Sequence, residues 1–216
     1  EECRLKIWNT PAISGIIQSD VVQQLHDYGM KVVISVLGSD EAGVAHLTDA
    51  ACRTFAQEIA NYCEAYDLDG VFFDDEYTYS WNHPGLTSPS TDRAARLCFE
   101  TKMAMPDKMV TCYIYSRTYG FYKKIEGMEP GDFVDYAISD YGSWDYEHYY
   151  LGMERNQVSP CSANFAYSYA RWTATQNNLQ RVRNEGFGGF MVYFQNRSLS
   201  GFLHNLSPIV LIFCKG

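Results

Sequence analysis

The chain lacks the patterns that mark nucleic-acid-binding and membrane-spanning proteins. It has 17 basic against 26 acidic residues, no basic cluster, and a formal net charge of −9. Such a surface cannot neutralise phosphates, which argues against a nucleic-acid partner. The apolar run near the carboxyl terminus, Ile209–Cys214, is far too short to cross a bilayer. A globular protein with one sizeable core over residues 1–216 is therefore expected.

The patterns of metal and nucleotide sites are missing as well. The seven cysteines include no CxxC pair, so neither a zinc site nor a dithiol motif is indicated, and we expect small core residues instead. Ser35–Asp40 contains no glycine-rich phosphate loop. The five histidines are scattered, and solvated or capping roles are expected for each. No metal and no cofactor is predicted.

Aromatic residues, in contrast, are abundant, with 17 Tyr, 12 Phe and 4 Trp. A tyrosine ring combines a flat apolar face with a hydroxyl, which suits stacking on a ligand and hydrogen bonding to it. Tyrosine-rich surfaces also serve protein partners, so this excess alone does not choose between the two.

Short β-like runs alternate with helical patterns along the chain, which predicts parallel strands joined by right-handed crossovers. Helices are predicted at Val21–Tyr28, Asp49–Tyr66, Thr91–Met105 and Thr173–Asn184. Strands are predicted at Leu5–Trp8, Val32–Leu37, Gly70–Asp74, Met109–Tyr115, Phe133–Ile138, Ala163–Tyr167 and Gly188–Phe194. Seven strands favour a (β/α)8 TIM barrel over a doubly wound sheet. One strand, the first, is expected to be missing from this chain.

The segment Tyr66–Tyr77 carries most of the functional information. A continuous apolar strand ends in three carboxylates, where α/β folds place their chemistry. By alternation, Phe72, Asp74 and Glu76 share one face, and Asp75 lies on the other. Asp74 and Glu76 are then about 7 Å apart at the barrel mouth. An acidic surface loop and an all-oxygen metal site are the competing interpretations.

Asp69-Gly70-Val71-Phe72-Phe73-Asp74-Asp75-Glu76 resembles the DGxDxDxE signature of glycoside hydrolase family 18, in particular its bacterial endo-β-N-acetylglucosaminidases. The resemblance extends over roughly residues 5–200. Lys31–Gly38 is similar to the family's preceding strand, and Met105–Lys108 is similar to the start of a later one. Tyr141–Trp144 is similar to its Tyr-Gly-x-Trp region, and Glu185–Tyr193 to its last strand.

The resemblance implies hydrolysis of the GlcNAc-β-1,4-GlcNAc core of N-glycans by a substrate-assisted retaining mechanism. Glu76 would protonate the leaving oxygen and Asp74 would orient the 2-acetamido group of the sugar. Tyr141 would hydrogen-bond the acetamide oxygen. Candidate sugar contacts are Asp69, Ser35, Tyr77, Tyr113, Tyr115, Trp144 and Tyr193.

The expected partner is thus an N-glycan or another GlcNAc-containing oligosaccharide, bound by a monomer. The resemblance also implies a secreted, periplasmic or cell-surface location, although no export signal is visible at Glu1.

One residue departs from the family pattern. The family carries an acid where this chain has Phe72, directly beneath Asp74 by alternation. Phenylalanine cannot share a proton with Asp74, so activity is predicted to be reduced by roughly 10- to 10⁴-fold. The alternative is a weak or inactive enzyme that binds glycans as a chitinase-like lectin.

Overall fold

The computed structural model describes residues 6–38, 43–75, 86–139, 150–164, 175–193 and 211–212. For Ala163, Asn164, Tyr193, Leu211 and Ile212 only the backbone is described. The helices in these ranges are α1 (Pro11–Ile17), α2 (Val21–Asp27), α3 (Asp49–Ala65), α4 (Thr91–Ala104), α5 (Pro130–Phe133) and α6 (Gln176–Glu185).

Eight strands are described: β1 (Val33–Leu37), β2 (Gly70–Asp74), β3 (Met109–Tyr113), β4 (Tyr136–Ile138), β5 (Val158–Ser159), β6 (Ser162–Asn164), β7 (Met191–Tyr193) and β8 (Leu211–Ile212). Strands β1 to β5 form one sheet and β6 to β8 a second, each in chain order and with every pair parallel. This is the order that repeated βα units produce.

The capping residues explain where the two longest helices begin. Thr48 accepts the Ala51 N–H at the start of α3, and Ser90 accepts the Arg93 N–H at the start of α4. At the other end of α6, Gly186 adopts the left-handed conformation (φ +75°), as its position after the predicted helix indicated.

The strands present two different faces. Val71 and Phe73 belong to the large core between the sheet and the helices, whereas Phe72 lies in a second, interior cluster. Met191 of the second sheet packs into this interior cluster with residues of the first sheet. The two sheets therefore enclose one interior, as in a barrel.

A lysine and an aspartate join the starts of β3 and β4. Asp135, just before β4, accepts the Val110 N–H at 2.7 Å and the Lys102 ammonium at 2.9 Å. Lys102 also donates to the Lys108 carbonyl at 2.9 Å. The ion pair of Lys102 and Asp135 thus connects α4 with the starts of β3 and β4 at the amino-terminal end of the sheet.

The buried cysteines pack as small core residues, as the sequence predicted. They are Cys52, Cys63, Cys98, Cys112 and Cys161, and all five are free thiols. Burial raises the pKa of Cys52 and of Cys161 to about 12, and that of Cys63 to about 11. The predicted core role is confirmed for these five; Cys3 and Cys214 lie outside the described residues.

Several predicted strands were wrong in part. The strand predicted at Met109–Tyr115 ends at Tyr113, and the one predicted at Gly188–Phe194 begins only at Met191. Lys6–Trp8 has no regular structure, and the first described element is instead α1, which Pro11 begins and Thr10 caps. The chain around Phe133 forms the short helix α5 before β4. Among the described helices, none is both long and apolar enough to span a membrane.

Candidate active site

Asp74 is the last residue of β2 and lies at the carboxyl-terminal end of the first sheet. Its side chain is only 2% exposed. It pairs in register with Leu37 of β1. On the other side, Phe73 pairs with Cys112, and continuing that register places Asp74 beside Tyr113 of β3. Adjacent strands lie about 4.8 Å apart, so Asp74 and Tyr113 are neighbours at the barrel mouth.

The interior beneath Asp74 is lined mainly by aromatic and aliphatic side chains. Phe72, Tyr113, Tyr136, Ile138 and Met191 form one buried cluster, with Val33 packed against it. The predicted alternation of β2 is therefore confirmed, since Phe72 faces this interior while Val71 and Phe73 face the helices. A carboxylate at the edge of such a cluster is held in a partly dry site, where its interactions with a substrate are strengthened.

Asp75, the next residue, is also only 2% exposed. Its charge acts on His46, which is fully buried in the segment that follows β1. Burial lowers the pKa of His46, and the Asp75 charge opposes that shift. The ring Nδ1 of His46 accepts the Gly43 N–H at 3.2 Å, which is the role of a neutral imidazole.

His46 also anchors the chain that returns toward α4. Its carbonyl oxygen accepts both the N–H and the hydroxyl of Thr87, at 3.0 and 2.8 Å. The expectation that His46 is solvated or a cap was thus wrong. Sequence reasoning missed it because the apolar run around it was overlooked. Its neighbours Val44, Ala45 and Leu47, all of them buried, were the available signal.

The end of β3 presents two stacked tyrosines. The rings of Tyr113 and Tyr115 are 5.7 Å apart with an interplanar angle of 16°. Tyr113 is 6% exposed and Tyr115 45% exposed, so the stack runs from the interior to the surface. Both predicted sugar contacts therefore lie at the same end of the sheet as Asp74.

Two more predicted contacts lie on neighbouring strands. Ser35 is half-buried on β1 and pairs in register with Phe72, one layer below Asp74. Tyr193 is the last residue of β7, where its backbone pairs with Asn164. The remaining predicted site residues, Glu76, Tyr77, Tyr141 and Trp144, lie outside the described residues.

Asp69 lies elsewhere, at the amino-terminal end of β2. Its carboxylate accepts the Lys31 ammonium at 2.7 Å, the Val32 N–H at 2.8 Å, and contacts His26 Nε2 at 2.9 Å. Burial would raise the pKa of Asp69, but hydrogen bonds from these three groups outweigh it and hold the pKa below its ordinary value. The structure does not bring Asp69 to the other site residues, because it precedes the strand that Asp74 ends.

Comparison with known proteins identifies the relatives of this chain. It is 39% identical to endo-β-N-acetylglucosaminidase F1 of Elizabethkingia meningoseptica over 213 residues, which cover 96% of the chain and 62% of that enzyme. The chain is a homologue of the bacterial endo-β-N-acetylglucosaminidases. The family resemblance predicted from Asp69–Glu76 is thereby confirmed. No protein-family model matches the chain.

Solved structures agree with this relationship. EndoBT-3987 of Bacteroides thetaiotaomicron, in crystals with a Man5GlcNAc product, superposes with a TM-score of 0.79 at 36% identity. That match covers 88% of this chain and 44% of EndoBT-3987. A second crystal structure of EndoBT-3987 holds a Man9GlcNAc2Asn substrate and has the same TM-score at 34% identity.

A chitinase from Rhizomucor miehei, 15% identical with a TM-score of 0.58, shares the fold alone; it matches 88% of this chain and 83% of its own length. These neighbours are TIM-barrel enzymes, and the predicted fold class is confirmed. The chain spans about half the length of the endoglycosidases that it matches.

Proposed function

We propose that this chain carries the catalytic centre of an endo-β-N-acetylglucosaminidase that cleaves the GlcNAc-β-1,4-GlcNAc core of N-glycans. The observation that carries the proposal is the placement of Asp74. It is buried on the inner face of β2, at the carboxyl-terminal edge of a parallel sheet and two residues before Glu76. This is the edge at which barrel enzymes build their active sites. The substrate and product bound to EndoBT-3987 support an N-glycan as the ligand class.

The proposed reaction is substrate-assisted. The carbonyl oxygen of the sugar's 2-acetamido group attacks the anomeric carbon while Glu76 transfers its proton to the leaving oxygen. The glycosidic bond breaks and a cyclic oxazolinium ion forms. Water then attacks the anomeric carbon, Glu76 takes one of its protons, and the ring opens with the original β configuration. Two inversions at one carbon give net retention.

Asp74 has an electrostatic part in this scheme. Its carboxylate accepts the acetamide N–H, which turns the carbonyl oxygen toward the anomeric carbon, and its charge stabilises the cation that develops. The partly dry position above Phe72 and beside Tyr113 strengthens both effects. Tyr141, by resemblance to the family, hydrogen-bonds the acetamide oxygen and restricts its angle of attack.

A high-mannose glycoprotein tests the proposal directly. Cleavage should release the glycan and leave one GlcNAc on each modified Asn, which intact-mass spectrometry detects. Glu76→Gln, which keeps the shape of the side chain without its proton, should lower the rate by roughly 10²–10⁴-fold. Asp107→Asn, which changes a carboxylate on the α4–β3 connection, is the matched control and should cleave normally. Cleavage by Glu76→Gln at the wild-type rate would refute the assignment of the acid.

Phe72 favours a second candidate, a protein that binds glycans with reduced or no turnover. Its ring packs against Tyr113, Tyr136, Ile138 and Met191, so no proton can be passed from below to Asp74 through this side chain. Binding to chitobiose without cleavage after prolonged incubation would favour this candidate.

Phe72→Asp separates slow catalysis from its absence. We expect the added carboxyl group to raise the rate, since it can share a proton with Asp74. Phe72→Asn is the matched control, because it has nearly the same shape and polarity but no titratable proton. Equal rates for both variants, each verified as folded by circular dichroism, would contradict the predicted impairment.

A further inference from the structure

The chain turns sharply after β3, and one buried side chain holds this turn. Thr118 is fully buried, and its hydroxyl lies 2.6 Å from the Tyr115 carbonyl oxygen and within hydrogen-bond distance of the Tyr113 carbonyl oxygen. The Tyr115 N–H donates to the same hydroxyl at 3.2 Å. Between them, Ser116 has φ +48°, a left-handed conformation that residues with a side chain seldom adopt. Such backbone strain persists only where the surroundings impose it.

Tyr150, from a distant part of the chain, makes a second contact that holds the turn. The Tyr150 hydroxyl donates to the Thr118 carbonyl oxygen at 2.6 Å. The Tyr150 ring stacks on Phe121 at 4.4 Å with an interplanar angle of 6°, and both rings are buried. The turn is therefore tied to β3 at one end and to the segment at residue 150 at the other, and its geometry is fixed before any ligand arrives.

This rigid turn presents an aromatic surface beside Asp74. Tyr115 stacks on Tyr113, the neighbour of Asp74, and leaves 45% of its own surface exposed. Farther along the same connection, Tyr119 and Tyr122 are 52% and 60% exposed. Exposed aromatic side chains often take part in binding. Of these three rings, Tyr115 is the one that connects to the site at Asp74, through its stack on Tyr113.

We propose that Tyr115 is a specificity-determining residue whose ring stacks on a sugar of the glycan beyond the GlcNAc held at Asp74, and that Thr118 is its positioning residue. This inference rests on the proposed function and adds a subsite to it. A pyranose ring has an apolar C–H face that a flat aromatic ring complements. Because the stack on Tyr113 and the Thr118 contacts restrain Tyr115, little conformational entropy is lost on binding.

Substrate length separates this subsite from the reacting centre. For a high-mannose glycopeptide, Tyr115→Ala should raise KM roughly tenfold, with kcat within about twofold of wild type. For p-nitrophenyl chitobioside, which lacks the outer sugars, both constants should stay unchanged. Tyr115→Phe keeps the ring and should recover most of the glycopeptide binding that Tyr115→Ala loses. An unchanged KM for the glycopeptide would overturn the proposal, as would an equal loss with both substrates.

The positioning role of Thr118 has its own pair of variants. Thr118→Val keeps the shape but removes the hydroxyl, so it should repeat the rise in glycopeptide KM and leave the chitobioside constants unchanged. Thr118→Ser keeps the hydroxyl and should restore the wild-type KM. A purely structural role would instead lower the activity toward both substrates together, and that result would refute the assignment.

Binding measurements distinguish failure of this subsite from failure of the proposed hydrolysis. Calorimetric titration of the Glu76→Gln protein with the same glycopeptide should give a Kd that Tyr115→Ala weakens about tenfold. Binding without any cleavage by the wild type would refute the hydrolysis and leave the subsite standing. If Tyr115→Ala instead weakens binding to the glycan-free peptide equally, the surface recognises protein and the proposal is wrong. A wild type that neither binds nor cleaves overturns both.

Discussion

The two ends of the parallel sheet use aspartate in different ways. At the amino-terminal end, Asp69 and Asp135 form the same arrangement, each just before a strand. Each accepts a backbone N–H from the neighbouring strand segment, at Val32 and Val110, and a lysine ammonium 2.7–2.9 Å away, from Lys31 and Lys102. Both carboxylates therefore stabilise the fold by holding neighbouring segments together.

At the carboxyl-terminal end, Asp74 and Asp75 are buried next to aromatic and imidazole side chains. Asp74 comes two residues before Glu76 in the sequence, and its neighbours Phe72 and Tyr113 reduce the water around it. The comparison teaches that the role of an aspartate in this chain is decided by the end of the strand at which it lies, because parallel strands place all their carboxyl ends on one edge.

The largest effect is expected at the carboxyl-terminal end. Asp74→Asn removes the charge that orients the acetamide and should lower kcat by roughly 10²–10³-fold. The free energy of unfolding should change by less than about 1 kcal/mol, because the amide fills the same space. Steady-state kinetics with a glycopeptide and urea denaturation measure the two quantities. A large loss of stability without a specific loss of kcat would show that Asp74 has a structural role like Asp69 and Asp135. The proposed difference between the two ends of the sheet would then be wrong.

Gly70→Ala tests the opposite end. Gly70 begins β2 with φ +156°, and a Cβ there would lie 2.0 Å from the Met109 carbonyl oxygen of β3. We expect a loss of about 3 kcal/mol in the free energy of unfolding, since the two strands must move apart. Gly15→Ala is the control, because a Cβ in that helix contacts nothing within 4 Å. Equal stability of the two variants would show that the strands can separate at little cost.

Asp69→Ala should destabilise the fold by about 2 kcal/mol while the kcat of the folded protein stays at the wild-type value. The folded-state pKa of Asp69 is below its unfolded value, so this contribution is present above about pH 4 and is lost as pH falls through the folded pKa. Asp67→Asn, at an exposed partner of the same His26, is the control and should be nearly neutral. Urea denaturation at pH 7 and pH 3 measures the difference. A specific loss of kcat would show that Asp69 takes part in the reaction after all.

The smallest effect concerns His46, at the carboxyl-terminal end. Burial lowers its folded-state pKa, while Asp75 opposes and Arg117 adds to the shift. The unfolded chain therefore binds the proton more readily, and stability should decline as pH falls below about 6.5. His46→Asn can still accept the Gly43 N–H and should flatten this slope. Thermal unfolding between pH 5 and 8 compares the two. Identical slopes would mean that His46 is not the group that titrates.

Regular spacing in the sequence predicted most of the elements near the site. The predicted strand Gly70–Asp74 is β2 itself, and α3 and α4 differ from their predicted bounds by one residue at the carboxyl end. These elements are long or continuously apolar, so the local pattern decides them. The two-residue strand β5 was missed, because it carries too few residues for any periodicity.

The role of Asp69 could not be predicted in the same way. It shares a motif with Asp74 but lies at the other end of one strand, and its partner Lys31 is 38 residues away in the chain. Similarly, the support of Tyr115 by Thr118 and Tyr150 depends on a turn and on a contact across 32 residues. Contacts between segments that are distant in sequence leave no local pattern, so structure is needed to find them.

The five buried cysteines make local unfolding of this protein measurable by thiol labelling. They lie in α3, α4 and β3 and just before β6, that is, along much of the core that supports the site. Since all five side chains are buried, an alkylating reagent should modify them only when the surrounding elements separate. Timed labelling followed by peptide mass analysis would then rank these elements by how often each one loosens, without any added probe.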